Sequence, residues 1–482
     1  MTKRRWYLYA ISVCGLLAAG LLTPVACSFH PERPDLPVDL PEAFSRTGDE
    51  AAPNEWWRAF EDPHLSALID TGLRGNLSLR STWDRLEQAR ATARKSGASQ
   101  YPSLELSAGA SRTVTKTEGA DRSYANSFSL GALASYELDL WGRVRSTKEA
   151  AELDVLASEA DLHTAAMTLT SEITSAWFSL VEQREELRLL DQQIGTNEDY
   201  LEIITAKYRS GQGSAVDVLQ QRQLLESSKA DRVLVESRIA ALEHSLAVLT
   251  GQMPGRFLAP GDSSLPNVPP LPDTGVPTEW IQTRPDIQAA FLEVEAADNR
   301  YAAAIADQFP KISISANAQT TTAEVGDLFS NWLASLAANL VEPILDGGVK
   351  RAEVQRTRAV LSERLNAYGD AVLSAIKEVE DALVQEAKQA EYVESLKKQL
   401  SLSEMATAQS LESYTSSGAD FTRYLTTLLS HQRLQRTHIQ AVLQRLSYRV
   451  SLYRALGGRW ELPNPVPEGK QENDADTGSA TK

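Results

Sequence analysis

The stretch ARKSGASQYPSLELSAGAS at residues 93–111 decides the fold, because the chain repeats its pattern as YAAAIADQFPKISISANAQ at residues 301–319. Each stretch begins with a helical run, passes an aromatic residue followed by proline, and continues with strict alternation of apolar and polar residues. Later segments also match in pairs, residues 140–145 with 345–350 and residues 208–219 with 414–425. The sequence therefore predicts an internal duplication of one unit, made of two strands, a very long helix, a tight turn and a returning helix.

Four segments alternate with the period of a β-strand, at about residues 101–115, 124–140, 309–320 and 331–345. Apolar residues on one face and small polar residues on the other are typical of strands that separate lipid from water. After the N-terminal leader no run of about 18 apolar residues occurs, so we expect any membrane crossing to consist of strands. Four strands cannot close a water-filled barrel, and several copies would have to contribute. Two ordinary hairpins packed on a soluble core remain the alternative.

The longest periodic segments lie in two predicted helical hairpins, at about residues 143–250 and 348–456. Their first helices, residues 144–208 and 349–414, place apolar residues at steps of four and three, which predicts coiled-coil packing. Each would be roughly 100 Å long if it were continuous. We expect Gly195-Thr196-Asn197 to bend or interrupt the first helix. The predicted turn glycines are Gly211, Gly213 and Gly418, and the predicted seam residues are Leu162, Ala166, Leu169, Ile173, Ala176, Leu180 and Leu187, then Leu361, Leu365, Tyr368, Val372, Ala375, Val379 and Ala382.

The composition divides the chain into segments around these repeats. We expect a lipoprotein signal peptide (1–26), a lipidated extended arm (27–62), a first repeat (63–253), a proline-rich linker (254–285), a second repeat (286–460) and a disordered acidic tail (461–482). Helices at about residues 63–97 and 286–308 are expected to lead into the strands. The fold class is therefore that of an α+β membrane protein.

The first residues predict export and lipidation. Three basic residues precede an apolar core at residues 6–22, which is the layout of a signal peptide. Thr23-Pro24-Val25-Ala26-Cys27 is typical of a bacterial lipoprotein cleavage site, although Pro24 departs from the usual aliphatic residue. We therefore expect Cys27 to carry N-acyl and S-diacylglycerol groups, and we expect no other cofactor. An ordinary signal-peptide cut beside an incidental Cys27 is the alternative.

The charge balance excludes one class of partner. The chain has 48 Lys and Arg against 64 Asp and Glu, a formal charge of −16, and loss of Lys3, Arg4 and Arg5 with the leader would make it −19. Nucleic-acid binding is not expected, since it requires a basic surface. The acidity fits either a solvated surface or a cation-attracting pore. The other cysteine, Cys14, falls within the leader, so the mature chain is expected to contain no disulfide.

Several short motifs resemble those of one known family. They are Trp56-Trp57, Tyr101-Pro102, YELDLWG (136–142), TRPDI (283–287) and QFP (308–310). With the leader end and the two turns, they make the chain similar to outer membrane factors of the TolC type, more narrowly the NodT-like lipoprotein branch of resistance-nodulation-division efflux systems. The resemblance implies a homotrimer in the outer membrane, in which each chain gives four strands to one twelve-stranded barrel. It also implies a coiled-coil periplasmic tunnel that docks on an adaptor protein and an inner-membrane pump.

The resemblance also indicates where such a tunnel would be narrowed. In that family polar links and acidic rings hold the periplasmic end closed, and Asp217 matches an acidic position there. In the second half Thr426 and Leu429 stand where acids are common. The candidate constriction residues are Asp217, Asp420 and Arg423, and the candidate links are Tyr208, Arg209 and Tyr414. Helix N-capping is the alternative role for Asp217 and Asp420.

No motif in the sequence indicates catalysis. The six histidines are scattered, and no HExxH, CxxC, P-loop or GxSxG pattern occurs. We therefore expect a channel that conducts passively and not an enzyme, with no metal site. The function favoured is the exit duct of a tripartite efflux pump. Two alternatives stay open, the outer component of type I protein secretion and a lipid-anchored periplasmic coiled-coil scaffold.

Overall fold

The computed structural model of the chain describes residues 38–51, 53–257, 261, 263–417, 420–458 and 460–463. The predicted signal peptide, Cys27, Gly418 and most of the acidic tail lie outside these residues. The described residues fall into two compact units. One contains Leu86–Ser158 and Ala289–Gly369, and the other contains Val38–Arg85, Glu159–Gln288 and the residues from Asp370 onward.

The two halves of the chain have the same order of long elements. The strands are β1 (Glu50–Ala51), β2 (Ser103–Thr115), β3 (Ser123–Leu138), β4 (Pro272–Asp273), β5 (Lys311–Thr322) and β6 (Leu333–Val341). The α-helices are α1 (Pro63–Gly75), α2 (Leu77–Ala98), α3 (Arg143–Arg209), α4 (Ala215–Leu249), α5 (Pro277–Trp280), α6 (Pro285–Ala306), α7 (Val349–Ser417) and α8 (Phe421–Leu456). The predicted strands and helical hairpins are thus confirmed in type and order.

The first unit contains a four-stranded antiparallel sheet with the order β2-β3-β5-β6. Its registers place the predicted apolar residues on one face: Leu106 opposes Ala132, Ala132 opposes Ala318, and Ala318 opposes Ala334. Side chains on this face are strongly exposed, with Leu106 at 75%. The sheet therefore presents an apolar face that no other described part of the chain covers.

The fourth strand is shorter than the sequence predicted. It begins at Leu333, so Trp332 lies before it, and it ends at Val341, which opposes Lys311 at the start of β5. Pro310 precedes Lys311 and has no N–H to donate, so the ladder stops there. The alternating pattern in the sequence extends beyond Val341, where β5 no longer provides a partner strand.

Each long helix begins at a tight turn after a strand, and in each turn an aspartate accepts hydrogen bonds from backbone N–H groups. Asp139 accepts hydrogen bonds from Val144 N at 3.0 Å and Arg145 N at 2.7 Å. In the second half Asp346 accepts from Gly348 N at 2.8 Å and Lys350 N at 3.0 Å. These carboxylates satisfy backbone donors that the start of a helix leaves unpaired. The adjacent Gly142 and Gly347 have φ of 80° and 66°, a conformation that favours glycine.

The predicted helical seams are largely confirmed. In α3 the residues Leu162, Ala166, Leu169, Ile173 and Leu180 are buried, and in α7 Leu361, Tyr368, Val372, Ala375, Val379 and Ala382 are buried. The remaining predicted seam residues, Ala176, Leu187 and Leu365, are half-buried. None of the helices in the described part of the chain combines the length and apolar character that a membrane-spanning helix requires.

The helix predicted at residues 63–97 is two helices. Asn76 separates α1 from α2, because its Oδ1 accepts from Leu79 N at 2.9 Å and caps α2. Its amide nitrogen donates to the Leu249 carbonyl oxygen at 2.9 Å, where α4 ends. The break thus fixes α2 to the end of the first helical hairpin.

The predicted N-terminal arm is not extended throughout, since Trp56–Phe60 form a 3-10 helix. Trp57 packs edge-on against Trp460 with ring centroids 5.0 Å apart, and Trp56 stacks on Tyr453 at 5.8 Å. Burying these rings stabilises the segment by removing large apolar surfaces from water. Trp56 and Trp57 are therefore part of the core of the second unit.

The predicted interruption of the first long helix is wrong, because α3 runs without a break through Gly195-Thr196-Asn197. Asn197 is fully buried, and its side chain donates to Ser228 Oγ at 3.2 Å and accepts from Gln432 Nε2 at 3.1 Å. Its carbonyl oxygen accepts from Gln221 Nε2 at 3.1 Å. A buried asparagine with all these partners fixes the register of α3 against α4 and α8.

Replacing Asn197 by leucine should therefore destabilise the helical hairpins. The change keeps the branched shape of the side chain but adds volume and leaves Gln432 Nε2 without its buried acceptor, at a cost of about 1–3 kcal/mol for the unpaired group. Thermal unfolding followed by circular dichroism measures the loss. An unchanged midpoint would contradict the network, and Glu198→Leu on the exposed side of α3 is the matched control.

Candidate functional site

The tips of the two helical hairpins contain all the residues predicted to form a constriction, and they lie in the second unit. The first tip joins α3 to α4. Gly211 has φ of 74°, and Gln212 N donates to the Lys207 carbonyl oxygen at 2.9 Å, which closes the end of α3. A side chain at Gly213 would approach Tyr208 N to 3.3 Å, so this position favours glycine through close packing. Gly418, the predicted turn glycine of the second tip, lies outside the described residues.

The two predicted acidic residues both cap helices. Ser214 and Asp217 form a capping box at the start of α4, where Val216 N donates to Ser214 Oγ at 3.1 Å and Ser214 N donates to Asp217 Oδ2 at 3.2 Å. Asp420 caps α8 by accepting from Thr422 N at 2.9 Å. That bond, aided by the positive charge of Arg423, lowers the pKa of Asp420. The capping role considered as an alternative is thus present at both residues.

The contact between the ends of α3 and α7 is made by Lys207, which the sequence analysis did not single out. Its Nζ donates to the carbonyl oxygens of Tyr414 at 2.7 Å and Thr415 at 3.2 Å. The same atom lies 4.4 Å from the centre of the Tyr414 ring. The predicted links Tyr208 and Arg209 lie beside it with exposed side chains. The helix dipole favours a cation near the last carbonyl groups of a helix. Lys207 belongs to α3, but the carbonyl groups that it contacts are those at the end of α7.

The predicted link Tyr414 lies inside an apolar cluster at the tip. The buried members of this tip cluster are Ile204, Val218, Tyr414, Phe421, Tyr424 and Leu428. Burial raises the pKa of Tyr414, and the negative charge of Asp217 raises it further. The charge of Asp217 thus acts on Tyr414, so these two predicted residues lie near each other. Arg423 is exposed near the start of α8, where its charge acts on Asp420.

The TRPDI motif has a structural role. Arg284 is buried and holds Asp286 through two nitrogens, Nε at 2.8 Å from Oδ1 and Nη2 at 2.9 Å from Oδ2. It also donates to Glu378 of α7 at 2.5 Å and to the carbonyl oxygen of Ala455 in α8 at 3.1 Å. The motif thus fastens the start of α6 to the second helical hairpin.

Within the described ranges, no group of three or more His, Cys, Asp or Glu residues is placed to hold a metal ion. His431 instead shares a hydrogen bond with Ser403 Oγ, with Nδ1 at 2.9 Å. At the tips, the described contacts are the apolar packing of the tip cluster and the hydrogen bonds of Lys207.

Comparison with known proteins gives concordant matches over most of the chain. The sequence model of the family described as outer membrane efflux protein matches residues 68–252 and 276–458. The pyoverdine export outer membrane protein OpmQ of Pseudomonas aeruginosa is 30% identical over 467 residues, covering 94% of this chain and 96% of OpmQ. The outer membrane protein OprJ of the same organism is 31% identical over 470 residues, with coverage of 94% and 96%. Among solved structures, the outer-membrane channel OprN superposes with a TM-score of 0.83 at 26% identity, covering 90% of this chain and 100% of OprN.

Proposed function

Because the chain belongs to the outer membrane efflux protein family, we propose an assembly through which it acts as the outer membrane channel of an efflux pump. Three copies each give β2, β3, β5 and β6 to one twelve-stranded barrel, and the long helices of each copy form the wall of a periplasmic tunnel. The observation that carries this proposal is the sheet, which has an exposed apolar face and, among the described residues, no partner strand beyond β2 or β6. Open edges are not tolerated in lipid, so further strands from other copies would be required.

An internal duplication would let three chains form a tunnel wall of regularly repeated units. Each half of the chain has the same order of strand, strand, long helix and returning helix. Three copies would therefore supply six similar units around one axis. Each α3 and α7 is long enough, at roughly 100 Å, to reach far into the periplasm.

The number of copies can be measured directly. Sedimentation of the purified chain in detergent should give a protein mass of three chains of 52.8 kDa each, less the leader. A monomer that stays monomeric after reconstitution into lipid would contradict the assembly.

The N-terminus of the mature chain would be a lipid anchor. Cys27 follows the small residue Ala26 after an apolar segment, the arrangement in which a lipoprotein cysteine is acylated after cleavage. We expect N-acyl and S-diacylglycerol groups on Cys27, which would hold the chain at the outer membrane beside its strands. Mass spectrometry of the N-terminal peptide should show the added lipid, and Cys27→Ser should lack it.

At the periplasmic end, the tips would form the gate of the tunnel and the docking end for an adaptor protein and an inner-membrane pump. Lys207 holds α3 to α7, and the tip cluster holds both to α4 and α8. Opening would require these helix ends to separate, a small rearrangement of packed helices. Substrate would then pass through a water-filled path without energy from this chain, and the inner-membrane pump would supply the energy for transport.

If Asp217 and Asp420 also rim the constriction, their charge should favour cations in the channel. The double change Asp217→Asn and Asp420→Asn removes both charges and leaves side chains that still cap helices well. We expect the cation preference, measured as a reversal potential across a salt gradient in a planar bilayer, to fall markedly. An unchanged reversal potential would restrict both residues to capping, and Asp381→Asn on the exposed surface of α7 is the control.

A further inference from the structure

A cavity of about 330 Å³ lies in the second unit between α3, α7 and α8. Residues of all three helices form its walls, among them Gln193 and Tyr200 of α3, Glu404 and Leu411 of α7, and Leu428 of α8. All of these residues belong to one chain, so the cavity is present in a single copy. Small-molecule sites in proteins occupy about 300–1,000 Å³, and a cavity at the lower end of that range fits a ligand of one or two rings.

One polar atom on the buried side of the cavity lacks a partner. Gln193 is 4% exposed, and its Nε2 donates to the Gln432 carbonyl oxygen at 3.3 Å and to Gln435 Oε1 at 2.8 Å. Both amide hydrogens are therefore used, which fixes the orientation of the amide. The remaining atom, Gln193 Oε1, is buried and accepts no hydrogen bond from the described residues. Because a buried acceptor without a donor is unfavourable, a ligand that brings an N–H group would be favoured here.

The open side of the cavity carries an unpaired negative charge. Glu404 is exposed there, and its carboxylate forms no ion pair or hydrogen bond within the described part of the chain. The spans that line the cavity on α3 and α7, residues 189–200 and 404–411, contain four acidic residues and no Lys or Arg. Two of the four pair with basic residues of α4. Arg433 of α8 is exposed and does not line the cavity. The local charge therefore favours a cation over an anion.

The remaining walls match the apolar part of such a cation. The ring of Tyr200 packs edge-to-face with that of the buried Tyr424, with ring centroids 5.3 Å apart. Leu411 and Leu428 add aliphatic surface to the same cavity. An aromatic ring held in this way can attract a cation or pack against a second aromatic ring. A ligand with an ammonium group and a small aromatic ring system would thus contact each kind of wall.

We propose that this cavity binds a small organic cation, in which an ammonium group is joined to a small aromatic ring system. The ammonium group lies beside Glu404, and the ring system lies against Tyr200, Leu411 and Leu428. An N–H group of the ring system supplies the donor that Gln193 Oε1 lacks. The site goes beyond the proposed function, because it uses neither the sheet nor the constriction residues.

Binding of 5-fluorotryptamine to the purified full-length chain in a neutral detergent tests this proposal. The fluorine resonance of this ligand should broaden more with the protein than with detergent alone, and a titration gives the dissociation constant. The matched ligand 5-fluoroindole-3-acetate has the same ring system with a carboxylate in place of the ammonium group. It should bind at least about tenfold more weakly, because Glu404 attracts the one and repels the other.

Two matched pairs of variants locate the bound ligand. Glu404→Gln removes the charge and should weaken the binding of 5-fluorotryptamine about fivefold or more. Its control is Glu391→Gln, which removes another exposed charge about 20 Å along α7 and should leave the binding unchanged. Ala408→Trp places a large ring in the cavity from its exposed side and should abolish the binding of both ligands. Ala406→Trp lies two residues away, about 200° around the helix, and should not. Both alanines are exposed, so the tryptophan variants should fold, which circular dichroism checks.

The expected result is preferred binding of the cation, weakened by Glu404→Gln and lost with Ala408→Trp. Equal binding of the two ligands would overturn the assignment of the cavity to a cation. Binding that survives Ala408→Trp, or broadening no greater than in detergent alone, would overturn the site itself. These outcomes do not bear on the proposed assembly, whose test is the sedimentation mass.

Discussion

Replacing Arg449 by methionine should lower the free energy of unfolding of the second unit by about 3–5 kcal/mol, the range for removing one partner of a buried ion pair. Arg449 and Glu386 are both buried, and two guanidinium nitrogens contact the carboxylate at 2.8 and 2.5 Å. Arg449 also donates to the carbonyl oxygens of Pro269 and Pro270, the latter at 2.6 Å. The change would strand the Glu386 charge and release the linker from α8.

Guanidinium titration of the detergent-solubilised protein, followed by circular dichroism, measures this loss. The control is Asp381→Ala, which breaks an exposed pair with Lys377 and should change the stability by less than about 1 kcal/mol. Restoring neutrality with Glu386→Gln in the Arg449→Met background should recover part of the loss. Equal effects of Arg449→Met and Asp381→Ala would show that the buried pair does not stabilise the unit.

Replacing Lys207 by methionine should open the channel at rest. Hydrogen bonds to a charged group contribute about 1.5–3 kcal/mol, and Lys207 makes two of them with the end of α7. Because about 1.4 kcal/mol is a factor of ten in an equilibrium, losing them should raise the open population at least about tenfold. Release of a trapped fluorescent dye from proteoliposomes should accelerate accordingly.

Two further variants make this experiment specific. Lys207→Arg keeps the charge and the donors and should release dye at close to the parent rate. Lys229→Met removes a half-exposed lysine of α4 that pairs with Glu198 at 3.3 Å and should leave the rate unchanged. If Lys207→Met and Lys229→Met behave alike, Lys207 does not hold the tips closed.

The strands and long helices could be predicted because their signals are local. Alternation fixed the faces of the sheet, and steps of four and three fixed the buried side of α3 and α7. The helix α8 ends at Leu456, where the sequence predicted the end of the second hairpin. Capping by Asp217 and Asp420 was likewise open to prediction, since a cap involves residues within one turn of each other.

What escaped prediction depends on partners that are distant in the sequence. Lys207 donates to a carbonyl oxygen 207 residues away, and no periodicity marks such a contact. Asn197 was expected to disturb its helix because its partners, Ser228 and Gln432, lie on other helices. The end of β6 at Val341 was set by Pro310 on the partner strand. In each case a second element decided the outcome.

The most direct test of the account is single-channel recording of the purified mature chain in a planar lipid bilayer. We expect uniform conductance steps with a preference for cations, as for a water-filled path through one assembly with acidic residues at its narrow end. Lys207→Met should increase the step size or the open time. Bilayers that contain the assembled protein and yet pass no current, with the parent chain and with Lys207→Met alike, would contradict the account of this chain as a channel.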